Sequence, residues 1–157
     1  MSADKNEAVV RRFIEELWNA RRLEVADEIF ADECVTHQLK SGSELTSAPR
    51  DPETMKRHVI QWLEGFPDLQ FTIEQILASG DRVTMQTTMR GTHTGTWLGI
   101  PPTGRTVDIQ MISIHRFAND KIVEDWVLVE SMGLFQQLGL LPPAPEIIAN
   151  AQTTAKR

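Results

Sequence analysis

The feature that most limits how this chain can fold is a change of hydrophobic period at Gly65-Phe66-Pro67. Before it, apolar residues recur every three or four positions: Val9, Val10, Phe13, Ile14, Leu17 and Trp18 make the stripe of an amphipathic helix. A second helical stretch covers 23–30, and Asp51-Pro52 offers an N-cap and a first-turn proline for a third helix carrying Met55, Val59, Ile60, Trp62 and Leu63. After the change the period is two: Phe71 and Ile73, then Val83, Met85, Thr87 and Met89, alternate with polar neighbours. Turn signals at Ser79-Gly80-Asp81, Pro101-Pro102-Thr103-Gly104 and Ala118-Asn119-Asp120 divide this half into about four meandering strands. Helices followed by hairpin-linked strands predict an α+β fold: N-terminal helices packed on a curved antiparallel sheet, closed by a short C-terminal helix within 132–140. Residues 1–141 read as a single domain. The proline- and alanine-rich stretch 142–157 has little to bury and is expected to be a loosely ordered tail, or to lie against a partner subunit.

Composition narrows the partners. The 157 residues are enough to bury a core without metal or disulfide staples. With 16 basic against 22 acidic residues, the net charge is -6, and no Lys/Arg cluster stands ready to neutralise phosphates, so nucleic acid is not an expected partner. The single cysteine, Cys34, lies in an apolar stretch and reads as a buried small hydrophobe. It suits a reducing cytoplasm. Residues 1–7 are polar, and no eighteen apolar residues follow one another, so neither an export signal nor a membrane span is expected.

The strand over 107–117 places Val107, Ile109, Met111, Ser113, His115 and Phe117 on one face and Thr106, Asp108 and Gln110 on the other. In the next strand, Asp125 stands alone among valines. A three-residue loop, Asn119 to Lys121, sets Asp125 directly across from His115. Apolar neighbours raise a carboxyl pKa and a nearby imidazolium lowers it, opposed pushes that can tune a proton-transfer group. The structural alternative is an ion pair at the hairpin end that only helps register. His37 precedes the polar loop 41–50, a possible lid, and is the third candidate acid or base. His93, among turn residues, is better suited to organising backbone, and His58, beside Lys56 and Arg57, to a solvated helix position.

Trp18, Trp62, Trp97 and Trp126 can line a pocket for a flat apolar ligand or serve as plain core. The expected lining is Trp18, Trp62, Met85, Met111, Ser113 and Val127. The four histidines fall in separate elements, and HxH, HExxH, CxxC, GxGxxG, GK[ST] and GxSxG spacings are missing, so no metal and no cofactor is expected.

Phe66-Pro67-Asp68-Leu69, Gly91-Thr92-His93-Thr94-Gly95, Gly99-Ile100-Pro101-Pro102-Thr103-Gly104, Lys121-Ile122 and Gln137-Leu138-Gly139, in this order and spacing, resemble the SnoaL-like polyketide cyclases, or ester cyclases, over about 7–141. The resemblance implies a cone-shaped fold of the nuclear transport factor 2-like kind, homodimerisation through the outer sheet face, and cofactor-free closure of a polyketide ring by intramolecular aldol condensation. It further implies an aspartate acid/base with a histidine across the hairpin. Matched without gaps from Arg116 to Gly139, those two positions hold Val127 and Ser113, which cannot do the same work. His115 and Asp125 are the next pair along that face, so the dyad reads as displaced by one rung. The function expected is acid/base proton transfer on a small apolar carbonyl compound, such as aldol cyclisation or isomerisation. A non-catalytic binding module is the first alternative. A hydrolase or epoxide opener, pairing Asp125 with Glu130 across a bulge, is the second.

Overall fold

The computed structural model describes residues 2–38 and 46–155. Helix α1, Ala3–Arg12, starts at Ser2, whose hydroxyl accepts the Lys5 N–H, and runs on into a π-helical segment, Phe13–Asn19. Val10, Phe13, Ile14, Leu17 and Trp18 are buried, as their spacing requires. The segment is stapled to the sheet where Asn19 exchanges two hydrogen bonds with the Phe71 backbone, at 2.8 and 2.9 Å. Helix α2, Val25–Ile29, leads into strand β1, Phe30–Gln38, and a short β2, Thr46–Pro49. Asp51 caps helix α3, Pro52–Gly65, by accepting the Thr54 N–H at 3.0 Å. Strands β3, Gln70–Ser79, β4, Arg82–Thr92, β5, Thr106–Ala118, and β6, Lys121–Val129, form the expected meander.

The sheet has six strands in the order β2-β1-β6-β5-β4-β3, two more than the sequence suggested. Every neighbouring pair is antiparallel except β1 with β6, which run parallel. Strand β1 escaped notice because Asp32 and Glu33 interrupt its alternation and its register slips between Phe30 and Val35. It matters most for function: it sets Thr36 beside Asp125 and Gln38 beside Val127. The β5–β6 hairpin also differs in detail from expectation. Its turn holds two residues, Asn119 and Asp120, at φ 50° and 64°, between the closing pair Ala118 and Lys121. A register shift between Arg116 and Phe117 then restores the pairing of His115 with Asp125.

The helices cover the inner, concave face of the sheet. Far from the hairpin turn, the Gly65 carbonyl accepts the N–H groups of Thr94 and Gly95, each at 3.1 Å. A side chain at Gly95 would collide with the Glu64 carbonyl, which is why glycine stands there. His93 organises this loop as expected: buried against Phe66, it accepts the Thr103 N–H at Nδ1. Leu134 and Leu138 anchor the short helix α4, Ser131–Gln137, and its following turn. Within 142–157, Ala144–Thr154 form helix α5, all of it exposed. Among the described residues, no helix is long and apolar enough to cross a membrane.

Candidate active site

The inner sheet face, α3 and the π-helical segment line a largely apolar cavity. Phe13, Ile14 and Trp18 reach it from the π-helical segment, and Met55, His58 and Trp62 from α3. The sheet adds Phe71, Met85, Thr87, Met89 and Met111, then Ser113, His115, Asp125, Val127 and Val129. Thr36, Gln38 and Arg50 complete its more polar side. Val127 and Ser113 pair directly across the hairpin, with His115 and Asp125 one rung nearer the turn.

Asp125 is 4% exposed and His115 1%. One carboxylate oxygen of Asp125, Oδ1, accepts the Thr36 hydroxyl. The other, Oδ2, lies 4.0 Å from His115 Nδ1, an electrostatic contact too long for a hydrogen bond. His115 Nε2 is 3.0 Å from Ser113 Oγ, and the ring packs edge-on against Phe13. Burial pulls the His115 pKa down, with the Asp125 charge pushing weakly back, so the imidazole is neutral near pH 7. An ionised Asp125 favours the tautomer with hydrogen on Nδ1, the Ser113 hydroxyl then donating to Nε2. Nδ1 is buried and has no hydrogen-bond partner among the described residues.

His37 corrects the sequence reading. It alternates with Thr36 and so faces the outer side of the sheet, where Nε2 meets Glu124 at 2.7 Å and Nδ1 meets Ser47 at 2.8 Å. Its ring stacks on Trp126, itself an outer residue beneath the Arg82 guanidinium. Trp97 is core, wedged against Trp62 and Phe66. Glu130 is exposed and accepts the Gln110 N–H, away from Asp125, so the two-carboxylate arrangement does not form. Residues 41–45 of the polar loop 41–50 lie outside the described residues, and 46–49 are β2. Cys34 is buried, its thiol pKa pushed up to about 12 by loss of solvent. Among the described residues, no three His, Cys, Asp or Glu side chains gather as metal ligands.

Thr36, Arg50 and His58 were missed. His58 belongs to the stripe Met55, His58, Val59, Trp62, whose spacing of three and four marks an inward face. The adjacent lysine and arginine obscured it. It lies between Trp18 and Trp62, and burial, helped by Arg50, takes its pKa down to about 3. Arg50 is half-buried and held in place by its N–H bond to the Cys34 carbonyl at 2.7 Å. Burial lowers its pKa while Asp125 opposes the shift. Nothing in the local sequence pattern pointed it inward.

The sequence model of the family described as SnoaL-like polyketide cyclase matches residues 8–138. Aklanonic acid methyl ester cyclase DnrD of Streptomyces peucetius is 28% identical over 142 residues, covering 88% of this chain and 93% of that protein. AclR of Streptomyces galilaeus, a proposed hydroxylase, superposes with a TM-score of 0.78 at 26% identity, over 99% of this chain and 94% of its own. IdmH of Streptomyces antibioticus, a proposed polyketide cyclase, gives 0.71 at 29% identity, over 84% and 96%. The chain therefore belongs to the SnoaL-like polyketide cyclase family.

Proposed function

We propose that this protein is a cofactor-free cyclase or isomerase that removes a proton next to the carbonyl of a small apolar ketone or ester. One observation carries the reading: Asp125, a carboxylate almost wholly removed from water, lines the apolar cavity opposite His115. A carboxylate facing an apolar cavity beside an imidazole is placed to take a proton from a bound carbon acid. The substrate C–H proton passes to Asp125, and its bonding pair moves onto the carbonyl oxygen to give an enolate. In cyclisation the enolate carbon then attacks a second carbonyl of the same molecule. In isomerisation Asp125 returns the proton elsewhere. Thr36 and His115 orient the carboxylate, and Ser113 holds the histidine. The name of DnrD, a methyl ester cyclase, supports a carbonyl ester as substrate class.

The test is deuterium wash-in from D2O at the acidic carbon of a small aromatic β-keto ester, followed by NMR above the uncatalysed rate. Asp125→Asn should slow exchange by about 10²–10⁴-fold, the usual worth of a positioned base, while ligand affinity is kept. Val127 and Ser113, at the family's catalytic positions, favour a second reading, a module that binds an apolar compound without turning it over. Ligand binding by wild type with no exchange above the uncatalysed rate would establish that second reading instead.

The proposal extends to a homodimer formed through the outer sheet face, where Ile112, Ile114, Trp126 and Leu128 adjoin one another across β5 and β6. Gel filtration at micromolar concentration should give twice the chain mass; a monomer refutes the pairing.

A further inference from the structure

Among the described residues lining the cavity, one fixed cation and one anion are present: Arg50 and Asp125. The two lining histidines are kept neutral, His58 by burial and by Arg50, His115 by burial. No ion pair within 4.0 Å joins Arg50 to Asp125 among the described residues, although both face the same enclosed space. Opposite charges that line one cavity without pairing leave room for a ligand atom between them, and with both histidines neutral the two charges cancel. That neutrality constrains the chemistry, because an extra charge placed in a poorly solvated space is strongly disfavoured.

We propose that Arg50 is a catalytic residue that takes over, as partner to the enolate oxygen, the negative charge released from Asp125, and that this exchange confines the site to uncharged carbonyl substrates. The inference rests on the proton abstraction proposed above and adds the group that stabilises its product. Before the step, Arg50 is positive, Asp125 negative and the substrate neutral. The substrate proton then converts Asp125 to the uncharged acid, and the electron pair left behind resides on the carbonyl oxygen. Arg50 is still positive, and the enolate is negative. The sum is zero before and after, so proton transfer relocates charge within the cavity without creating any. A guanidinium with five N–H donors is well suited to receive an oxyanion. A free carboxylic acid, ionised near pH 7, breaks this balance by adding a second anion with no second cation. His37, the third acid or base candidate of the sequence, faces outward and cannot serve as that partner.

The experiment uses 4-nitrophenolate as a stand-in for the enolate and Asp125→Asn as a stand-in for the protonated aspartate, with binding read from the probe's absorbance at a pH where it is ionised. Asp125→Asn should bind the phenolate at least about tenfold more tightly than wild type, since the opposing carboxylate is gone. Adding Arg50→Gln should then weaken binding by about 10–100-fold, the range for a charge-assisted hydrogen bond, and Arg50→Lys, which keeps the charge, should retain part of it. Phenolate binding by Asp125→Asn no tighter than by wild type, or undiminished by Arg50→Gln, overturns the proposal. Wild type should also bind methyl benzoate in preference to benzoate, and the reverse order likewise refutes it. The exchange assay separates the two ideas: a rate lost in Asp125→Asn but kept in Arg50→Gln retains the base and removes the arginine's role, whereas a rate lost in neither removes the base itself.

Discussion

Glu124 and Asp125, adjacent in β6, place their carboxylates on opposite faces of the sheet, each near a histidine of a neighbouring strand. Outside, Glu124 bonds His37 at 2.7 Å and Arg116 at 2.8 Å, and these partners, the arginine first, hold its pKa below the usual carboxylate range. Inside, Asp125 stands 4.0 Å from His115 in the closed interior. The outer carboxylate has spent its hydrogen-bonding capacity on protein groups and serves the sheet. The inner one is removed from water and has one hydrogen-bond partner, the Thr36 hydroxyl, among the described residues. Under the proposed function, the carboxylate deprived of solvent is the reactive one and the closely paired one is structural.

The contrast can be broken by experiment. The largest expected effect is on exchange chemistry: Asp125→Asn should lose about 10²–10⁴-fold in rate, while Glu124→Gln should change it less than about threefold, the scale of a contact outside the site. Comparable losses would mean that the face of the strand does not decide function. Acid provides the next separation. The folded-state pKa of His58 is about 3 and that of His115 is also lowered, both below the ordinary histidine value. In the unfolded chain they bind protons first, so stability is complete above about pH 6.5 and declines as pH falls, by up to about 1.4 kcal/mol per pH unit for each histidine. His58→Gln should flatten part of that decline in urea melts between pH 6.5 and 4.5; an unchanged slope would place His58 in water. Smallest is the outer pair itself, where Glu124→Gln should cost roughly 0.5–1 kcal/mol of stability, less at high salt. A loss of several kcal/mol would show that the outer network holds the sheet together.

The change of period and the turn residues made the helical layer and the β3–β6 meander legible, because those patterns depend on neighbours in the chain. Strand β1 was not, since its partner β6 lies about ninety residues away and its own alternation is broken by Asp32 and Glu33. The pairing of His115 with Asp125 was inferred through a three-residue loop, whereas a two-residue turn and a register shift deliver the same partners. For His37 the missing information was which face of β1 it occupies, and that follows only from pairing with β6. Arg50 belongs to the cavity through long-range packing, which no local spacing encodes. His58 was within reach: Met55, Val59 and Trp62 already marked its face of the helix.

Four methionines, Met55, Met85, Met89 and Met111, form much of the cavity wall. Unbranched thioethers adapt their shape, so the same chamber should accommodate several related ring systems without backbone movement. They also set its working lifetime. Each sulfoxide would project a polar, hydrogen-bonding oxygen into space matched to hydrocarbon, so oxidative ageing should erase ligand binding before it unfolds the chain, and a reductase able to restore the thioethers would renew it.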